Sequence, residues 1–234
     1  MKLLIGIILS VLSVSFLIVG LCCGQNTARE NWAKGVEYAV QGNFSEAKKE
    51  FENALKVDPY NRSARATLKV VEDVIGQKTK SKTAVHFFKG VSHSKKRDWA
   101  EANAEYSKVI EINAKYVDAY NERAAAYYFK GQHDRAIADF TRAIEIEPSN
   151  AWAYFARGSV YHDKGQFGWA IADFTKAIEI DPELAMAYNN RGIAYFYIKE
   201  YEKAWDDVHK AQSLGHQVHP GFLNELREAS GRER

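Results

Sequence analysis

Proline and net charge are both low in this chain, and each shortage limits what the chain can be. Only four prolines occur among 234 residues, and none of them needs to fall inside a helix, which agrees with a helical solenoid. The formal net charge is only +2, so no global electrostatic field favours a nucleic acid or an acidic substrate. We therefore expect no nucleic-acid partner.

Sequence signals for catalysis and for metal binding are also missing. The chain has no glycine-rich phosphate-binding loop, no nucleophile elbow and no zinc-binding histidine helix. Its densest histidine group is His209, His216 and His219, which has no cysteine or carboxylate at ligand spacing. These absences predict a protein that is not an enzyme and that binds no cofactor, no metal and no small-molecule substrate.

A period of 34 residues is the main positive signal in the sequence. Four residues of one segment return one period later: Ala136, Phe140, Ala143 and Pro148 become Ala170, Phe174, Ala177 and Pro182. Alignment on this period gives five copies, at 28–61, 83–116, 117–150, 151–184 and 185–218. Fixed periods of this length are typical of stacked supersecondary units. We number the positions of each copy from 1 to 34.

Each copy has the pattern of two amphipathic helices. Positions 4, 8 and 11 fall on one face of a first helix, and positions 20, 24 and 27 fall on one face of a second helix. Position 20 is alanine in every copy: Ala47, Ala102, Ala136, Ala170 and Ala204. One helix pair cannot bury its own apolar face, so the copies have to stack. The sequence therefore predicts an all-α fold.

These residues resemble the tetratricopeptide repeat, in which position 8 is small, positions 11 and 24 are aromatic, positions 20 and 27 are alanine and position 32 is proline. The resemblance implies a right-handed superhelical solenoid of five helix-turn-helix units that binds other proteins. The chain departs from the family pattern at Ala114 and His216, where proline is expected, and at Arg97 and Lys199, where a turn glycine is expected. We expect looser joints in those repeats.

A second regularity links position 7 to position 23 in every copy. The pairs are Lys34 with Glu50, Lys89 with Glu105, Arg123 with Asp139, Arg157 with Asp173, and Arg191 with Asp207. One interpretation is a row of arginines that awaits an anionic partner. We favour the other, an ion pair that bridges the two helices of each copy, because a forked arginine and a carboxylate neutralise each other.

One long apolar run stands at the N-terminus, where Lys2 is followed by uncharged residues from Leu3 to Cys23. At about 1.5 Å per residue, a helix of this length could cross a bilayer core of roughly 30 Å. The run predicts that residues 1–24 serve export or anchoring and not the fold. Three interpretations stay open: an uncleaved signal anchor, a signal peptide cleaved near Gly24, and a lipoprotein signal that acylates Cys22 or Cys23.

The charge distribution around this run predicts where the repeats would lie. A positive residue precedes the run and little charge asymmetry follows it, so we expect the repeats on the far side of the membrane, which in a bacterium is the periplasm. The predicted localisation is therefore a membrane-anchored bacterial protein with periplasmic repeats. Secretion after cleavage and lipidation are the alternatives, although Leu21 before Cys22 does not meet the usual lipobox.

Two segments lie outside the five copies. After the first copy, residues 62–75 predict an extra helix, so that the first repeat and this helix cover 28–75, and residues 76–82 read as a polar basic linker. We expect a break or hinge in the solenoid at this linker, before the four contiguous repeats at 83–218. At the C-terminus, Pro220 and the apolar residues after it predict a capping helix over 219–230.

The family resemblance also implies a partner site. In tetratricopeptide repeats the first helices line a concave groove, which is reached mainly from positions 2, 5, 9, 12 and 13. Here these positions predict a groove of Trp32, Phe87, Tyr128, Phe129, Trp152, Phe155, His162, Asn189, Phe196 and Tyr197. Most are aromatic, which is typical of peptide or helix recognition. Basic residues that clamp an acidic C-terminal tail in one branch of the family are missing at positions 5 and 6.

The sequence predicts two alternative functions. The first is a membrane-tethered adaptor or scaffold that binds a peptide or helix of an envelope protein in the aromatic groove. The alternative is a structural assembly factor for an outer-membrane or pilus-type machine, which would bind a folded subunit by its convex face. The sequence does not indicate an oligomeric state.

Overall fold

The computed structural model describes residues 23–231, and the chain divides into two compact units at Ala114 and Lys115. Every regular element between residues 23 and 231 is a helix, which confirms the predicted all-α fold. The predicted N-terminal membrane or signal helix lies almost wholly outside these residues.

The first unit contains five of the described helices. They are α1 (Cys23–Val40), α2 (Phe44–Val57), α3 (Arg62–Ile75), α4 (Ser81–Lys96) and α5 (Trp99–Ile112). α1 packs antiparallel on α2 and α4 packs on α5, as expected for two helix-turn-helix copies. α3 packs mainly against α2, and α1 also contacts α4 directly. α4 begins at Ser81, so the last two residues of the predicted linker 76–82 are helical.

The second unit contains three consecutive helix pairs and a last helix. They are α6 (Val117–Phe129), α7 (His133–Ile146), α8 (Ala151–Asp163), α9 (Phe167–Ile180), α10 (Ala185–Tyr197), α11 (Tyr201–Ser213) and α12 (Pro220–Ser230). Each helix packs on the next along the chain, and α8 also touches α10. Phe222 and Leu226 of α12 are buried against α11, where Trp205 Nε1 donates a hydrogen bond to Ser230 Oγ at 3.1 Å.

The core of each pair lies at the positions that the sequence period predicts. Residues at positions 20, 24 and 27 are at most 1% exposed in all five copies. A small residue at position 8 lets the ring at position 24 approach the first helix: a Cβ built on Gly158 would lie 2.9 Å from Phe174 Cε1. In the first, second and fourth copies the two helices of a pair therefore interlock through a glycine and an aromatic ring.

The predicted ion pairs between positions 7 and 23 form in the second unit but not in the first. Asp173 accepts hydrogen bonds from Arg157 Nε and Nη2, both at 2.8 Å. The same two-pronged contact joins Arg123 to Asp139 and Arg191 to Asp207, which confirms the intra-repeat ion pair there.

The lysine–glutamate version of this pattern is not formed. Glu105 contacts His86 Nδ1 at 2.6 Å and Lys108 Nζ at 2.5 Å in place of Lys89. Within the described residues, no ion pair joins Lys34 to Glu50 either. A lysine ammonium lacks the planar fork that holds arginine on one carboxylate, so nearer partners compete for the glutamate.

The turn inside each pair has a left-handed residue at position 15. Gly42, Gly131 and Gly165 have φ between +71° and +83°, and Arg97 and Lys199 adopt the same conformation at φ +64°. A residue with a Cβ pays a steric cost in this region that glycine does not. The turn of the two departing repeats therefore has the left-handed conformation of the other three repeats, at a local energetic cost.

Replacing Lys199 with glycine should raise the free energy of unfolding by roughly 0.5–1 kcal/mol, because relief of left-handed strain exceeds the added entropy of the unfolded chain. Urea unfolding followed by circular dichroism measures the change. Lys130→Gly is the matched control, because Lys130 ends α6 with an ordinary φ of −83° and should lose stability on the same substitution. Equal effects at both sites would contradict the strain argument.

The prediction that the protein is membrane-anchored, with periplasmic repeats, is wrong, because the helices that the structure describes contradict it. None of the helices between Cys23 and Ser230 is long and apolar enough to cross a bilayer. α1, the longest, has 18 residues and includes the charged Arg29, Lys34 and Glu37. The apolar run that motivated the prediction lies, except for Cys23, outside residues 23–231.

Candidate functional site

In the first unit, both predicted groove residues are buried. Trp32 on α1 is 6% exposed and Phe87 on α4 is 5% exposed. Lys95 Nζ lies 5.8 Å from the centre of the Trp32 ring, and the Phe87 ring packs on Tyr106 at 5.8 Å. In this arrangement both rings stabilise the unit and present little surface to a partner.

In the second unit, two of the predicted residues are also buried. Phe155 is fully buried on α8, between the rings of Trp152 at 5.2 Å and Phe174 at 5.8 Å. Asn189 on α10 is 8% exposed and donates a hydrogen bond to Asn190 Oδ1 at 3.1 Å. Phe155 is thus the support for Trp152 and part of the core.

Six predicted groove residues remain partly exposed, and all lie on the first helices of the second unit. They are Tyr128 and Phe129 on α6, Trp152 and His162 on α8, and Phe196 and Tyr197 on α10. We call the surface formed by copy positions 2, 5, 6, 9, 12 and 13 of these three helices the first-helix face. Its partly exposed members offer ring surface to a partner, and the tyrosine, tryptophan and histidine rings among them add a polar group.

Contacts between neighbouring copies hold several of these rings in place. Tyr197 stacks on Phe167 with ring centres 4.6 Å apart and planes 4° apart. The His162 ring packs edge-on against both of them, at 5.3 Å from Phe167 and 5.7 Å from Tyr197. This cluster joins the fourth copy to the fifth, so the aromatic surface is fixed before any partner arrives.

A hydrogen bond joins the third copy to the fourth on the same face. The Tyr128 hydroxyl donates to Asp163 Oδ2 at 2.5 Å, and His162 Nδ1 lies 3.5 Å from Asp163 Oδ1. Burial raises the pKa of Tyr128, and the neighbouring Asp163 carboxylate raises it further. Tyr128 therefore stays protonated and remains a donor to Asp163 at physiological pH.

The charge of the first-helix face is one-sided. No lysine or arginine occupies positions 2, 5, 6, 9, 12 or 13 in the third, fourth and fifth copies, whereas Asp118, Glu122 and Asp163 do. A carboxylate arriving at this face would find no lysine or arginine at these positions to pair with. The face is suited to apolar and aromatic side chains and to hydrogen-bond donors.

Position 17, at the start of each second helix, also belongs to this surface. The groove positions that the family resemblance implies do not include it. Phe167 stacks on Tyr197, Tyr201 packs on Phe196 at 5.9 Å, and His133 packs on Tyr128 at 5.6 Å. The copies read Phe44, Trp99, His133, Phe167 and Tyr201 at this position. That aromatic column was visible in the alignment and could have predicted the contacts.

Two other predicted features concern modification and metal binding. Cys22, a candidate for lipidation, lies outside the described residues, and Cys23 is the first residue of α1. Between residues 23 and 231, no group of three or more His, Cys, Asp or Glu side chains could hold a metal ion.

Comparison with known proteins agrees with the repeat pattern. Family models described as tetratricopeptide repeat match residues 31–61 and 105–138, and a model described as TPR repeat matches residues 126–165 and 158–197. Together these matches cover just over half of the chain. No curated protein sequence matches at a significant level.

Several solved structures have a similar fold at low sequence identity. MamA from Desulfovibrio magneticus RS-1 aligns with a TM-score of 0.56 and 16% identity over 81% of this chain and 96% of its own. A second MamA structure gives 0.55 and 21% identity over 89% and 96%. YrrB, described as a TPR protein with an unusual peptide-binding site, gives 0.53 and 19% identity over 80% and 86%. Because the family models, the helix pairs and the buried positions agree, the chain belongs to the tetratricopeptide repeat family.

Proposed function

We propose that this protein is a protein–protein interaction adaptor whose second unit binds a peptide or helix of another protein on the first-helix face. The observation that carries the proposal is the set of six partly exposed ring side chains on three consecutive first helices. Isolated exposed aromatics are common on soluble proteins, but a contiguous aromatic surface is typical of a binding site.

The rigidity of this surface supports the proposal. Trp152 rests on the buried Phe155, and Tyr197 rests on Phe167, so both rings have one face fixed by the protein. An anchor that is already ordered loses little side-chain entropy when a partner binds. Tryptophan and tyrosine in such settings supply much of the binding free energy of protein interfaces.

The charge of the first-helix face limits the chemical class of the partner. Because the first-helix face has no lysine or arginine, we expect it not to hold an acidic C-terminal tail by a carboxylate clamp. An apolar or aromatic segment is the better match. A similar fold in YrrB, whose description names a peptide-binding site, supports a peptide as the ligand class.

Replacing Trp152 with alanine should weaken the binding of a partner peptide by at least about 30-fold, because it removes a central ring anchor. Peptides are first selected from a random displayed library against the full-length chain. Their affinities for the wild type and for the variant are then measured by fluorescence anisotropy.

Trp169→Ala is the matched control, because it removes the same residue type from the same copy at a surface that is 66% exposed and lies on α9. Peptides that lose affinity for Trp152→Ala and keep it for Trp169→Ala support the proposal. Peptides that bind both variants as well as the wild type, or that depend on Trp169 alone, show that the first-helix face is not the site.

A further inference from the structure

A second surface of the second unit repeats one arrangement three times. In each copy the arginine at position 7 lies between the tyrosine rings at positions 4 and 11. The guanidinium carbon of Arg157 is 5.7 Å from the centre of Tyr154 and 6.0 Å from that of Tyr161. Arg123 and Arg191 lie between their own tyrosines at 5.6–5.9 Å.

The second helix of each copy extends this row with cations. Arg135 and Lys203, both at position 19, each lie 5.6 Å from the ring of the position-11 tyrosine in their copy. Position 26 is also basic in the three copies, as Arg142, Lys176 and Lys210. Lys210 Nζ lies 5.9 Å from the Tyr188 ring, so the row continues on that side.

Neighbouring rows are joined to one another. Arg157 Nη1 donates to Thr141 Oγ1 of the preceding copy at 2.9 Å, and Arg191 Nη1 donates to Thr175 Oγ1 at 3.0 Å. The three rows therefore form one continuous surface. We call the residues at positions 4, 7, 11, 19, 22 and 26 of the third to fifth copies the outer face.

Trp169 interrupts the cations at the centre of this face. It occupies position 19 of the fourth copy, where the neighbouring copies have Arg135 and Lys203, and its ring stacks on Tyr161 at 6.1 Å. Trp169 is 66% exposed, the second-largest exposure among the exposed large apolar side chains of the described chain. Since a basic residue serves this position in the neighbouring copies, the fold itself does not require a tryptophan there.

The charged side chains at positions 19, 22 and 26 around Trp169 are mostly positive. The arginines at position 7 are neutralised by their aspartates, which leaves five basic residues and only one acidic residue, Asp206, at positions 19, 22 and 26. Three of the five form pairs with glutamates on their own helices, Arg142 with Glu145, Lys176 with Glu179 and Lys203 with Glu200. Both members of these pairs are about half exposed, so the pairs are weak and an incoming carboxylate can compete for the cations.

We propose that the outer face binds an acidic protein segment that carries an apolar side chain. The apolar side chain packs on Trp169, and the flanking carboxylates pair with Arg135 and Lys203 of the two adjacent copies. This surface is separate from the first-helix face of the proposed function, and one chain can therefore connect two partners.

A protein segment fits this face better than a single-stranded nucleic acid. Binding of single strands relies on aromatic rings that are free to stack on bases. Here each tyrosine ring already lies against the arginine of its own copy, and Tyr127, Tyr188 and Tyr195 each lie against a second cation. The Trp169 ring is the one large exposed ring surface among these residues, which suits a single apolar anchor.

The test uses short fluorescein-labelled probes and the full-length chain at low ionic strength, where surface charges act most strongly. The probes are an acidic peptide with a central phenylalanine, the same peptide with serine in its place, the lysine counterpart of the first peptide, and a single-stranded oligonucleotide of equal negative charge. Fluorescence anisotropy gives the affinity of each probe.

Two variants change position 19. Trp169→Ala removes the apolar anchor without adding a charge, and Arg135→Glu with Lys203→Glu introduces the residue type found at Glu46 and Glu101. Each should weaken the binding of the phenylalanine-containing acidic peptide by about tenfold, whereas Trp152→Ala should leave it unchanged. Circular dichroism checks that the variants are folded.

Each outcome of this test either supports or contradicts the proposal. The proposal holds if the acidic peptide with phenylalanine binds more tightly than the other three probes and if both position-19 variants bind this peptide more weakly than the wild type does. It is overturned if Trp169→Ala binds as tightly as the wild type, if serine replaces phenylalanine without loss, if the peptide shows no binding, or if the oligonucleotide binds more tightly than the peptide.

Discussion

Replacing Phe174 with alanine should lower the free energy of unfolding by roughly 3–5 kcal/mol, the cost of a cavity left by a buried phenylalanine. Phe174 is fully buried, its ring packs 5.8 Å from that of Phe155, and it occupies the space beside Gly158. Urea unfolding followed by circular dichroism measures the loss.

Trp169→Ala provides the control for this large effect, since it removes an even larger ring from the same helix. Because Trp169 is 66% exposed, its loss should change stability by less than about 0.5 kcal/mol. If the two variants lost similar stability, the packing of position 24 into the gap at position 8 would not be what holds the pair together.

Replacing Asp173 with alanine should cost about 3 kcal/mol, because it leaves the guanidinium of Arg157 in the interior without its carboxylate. The side chains of Arg157 and Asp173 are 17% and 9% exposed, and the hydrogen bond that Arg157 donates to Asp173 raises the pKa of Arg157. Arginine cannot shed its proton to escape this cost. The loss is measured by urea unfolding of the variant.

The pair itself should contribute much less than its disruption costs. In the corresponding pair of the fifth copy, burial raises the pKa of Asp207 even though Arg191 opposes the shift, whereas Asp207 raises the pKa of Arg191 against the effect of burial. Desolvation therefore offsets part of the attraction. We therefore expect Arg157→Leu with Asp173→Ala to recover at least half of the stability that Asp173→Ala loses.

The exposed pair of Arg142 and Glu145 is the control for the buried one. Glu145→Ala should change stability by less than about 1 kcal/mol, because both side chains are about half exposed to water. A double variant that is no more stable than Asp173→Ala alone would show that the fork stabilises the repeat directly.

The core was predictable from the sequence because helical periodicity and residue size act locally. Alanine at position 20 and the large side chain at position 24 recur at a fixed spacing, and all five copies bury them. The same comparison of copies correctly paired Arg157 with Asp173. It did not predict that position 11 stays partly exposed, as at Tyr38, which is 36% exposed.

The candidate site was less predictable, because the exposure of a ring depends on which side chains of its own copy and of neighbouring copies pack against it in the folded chain. Position 5 was assigned to the groove by family geometry, yet Phe155 is fully buried because Trp152 and Phe174 cover it. For the same reason Phe155 is a poor residue for a binding test, since its removal would also open the core.

By itself, the sequence determined the repeat, the helix pairs and the residues inside each pair, since all of these follow from the period of side chains along one stretch of chain. Only the tertiary structure decided which rings remain available to a partner. Trp152 and Trp169 are tryptophans of the same copy. The Trp152 ring packs on Phe155, a buried residue of the first-helix face, whereas Trp169 is 66% exposed and lies among cations. That difference arises from side chains that folding brings together, both within the copy and between copies, and a local pattern does not contain them.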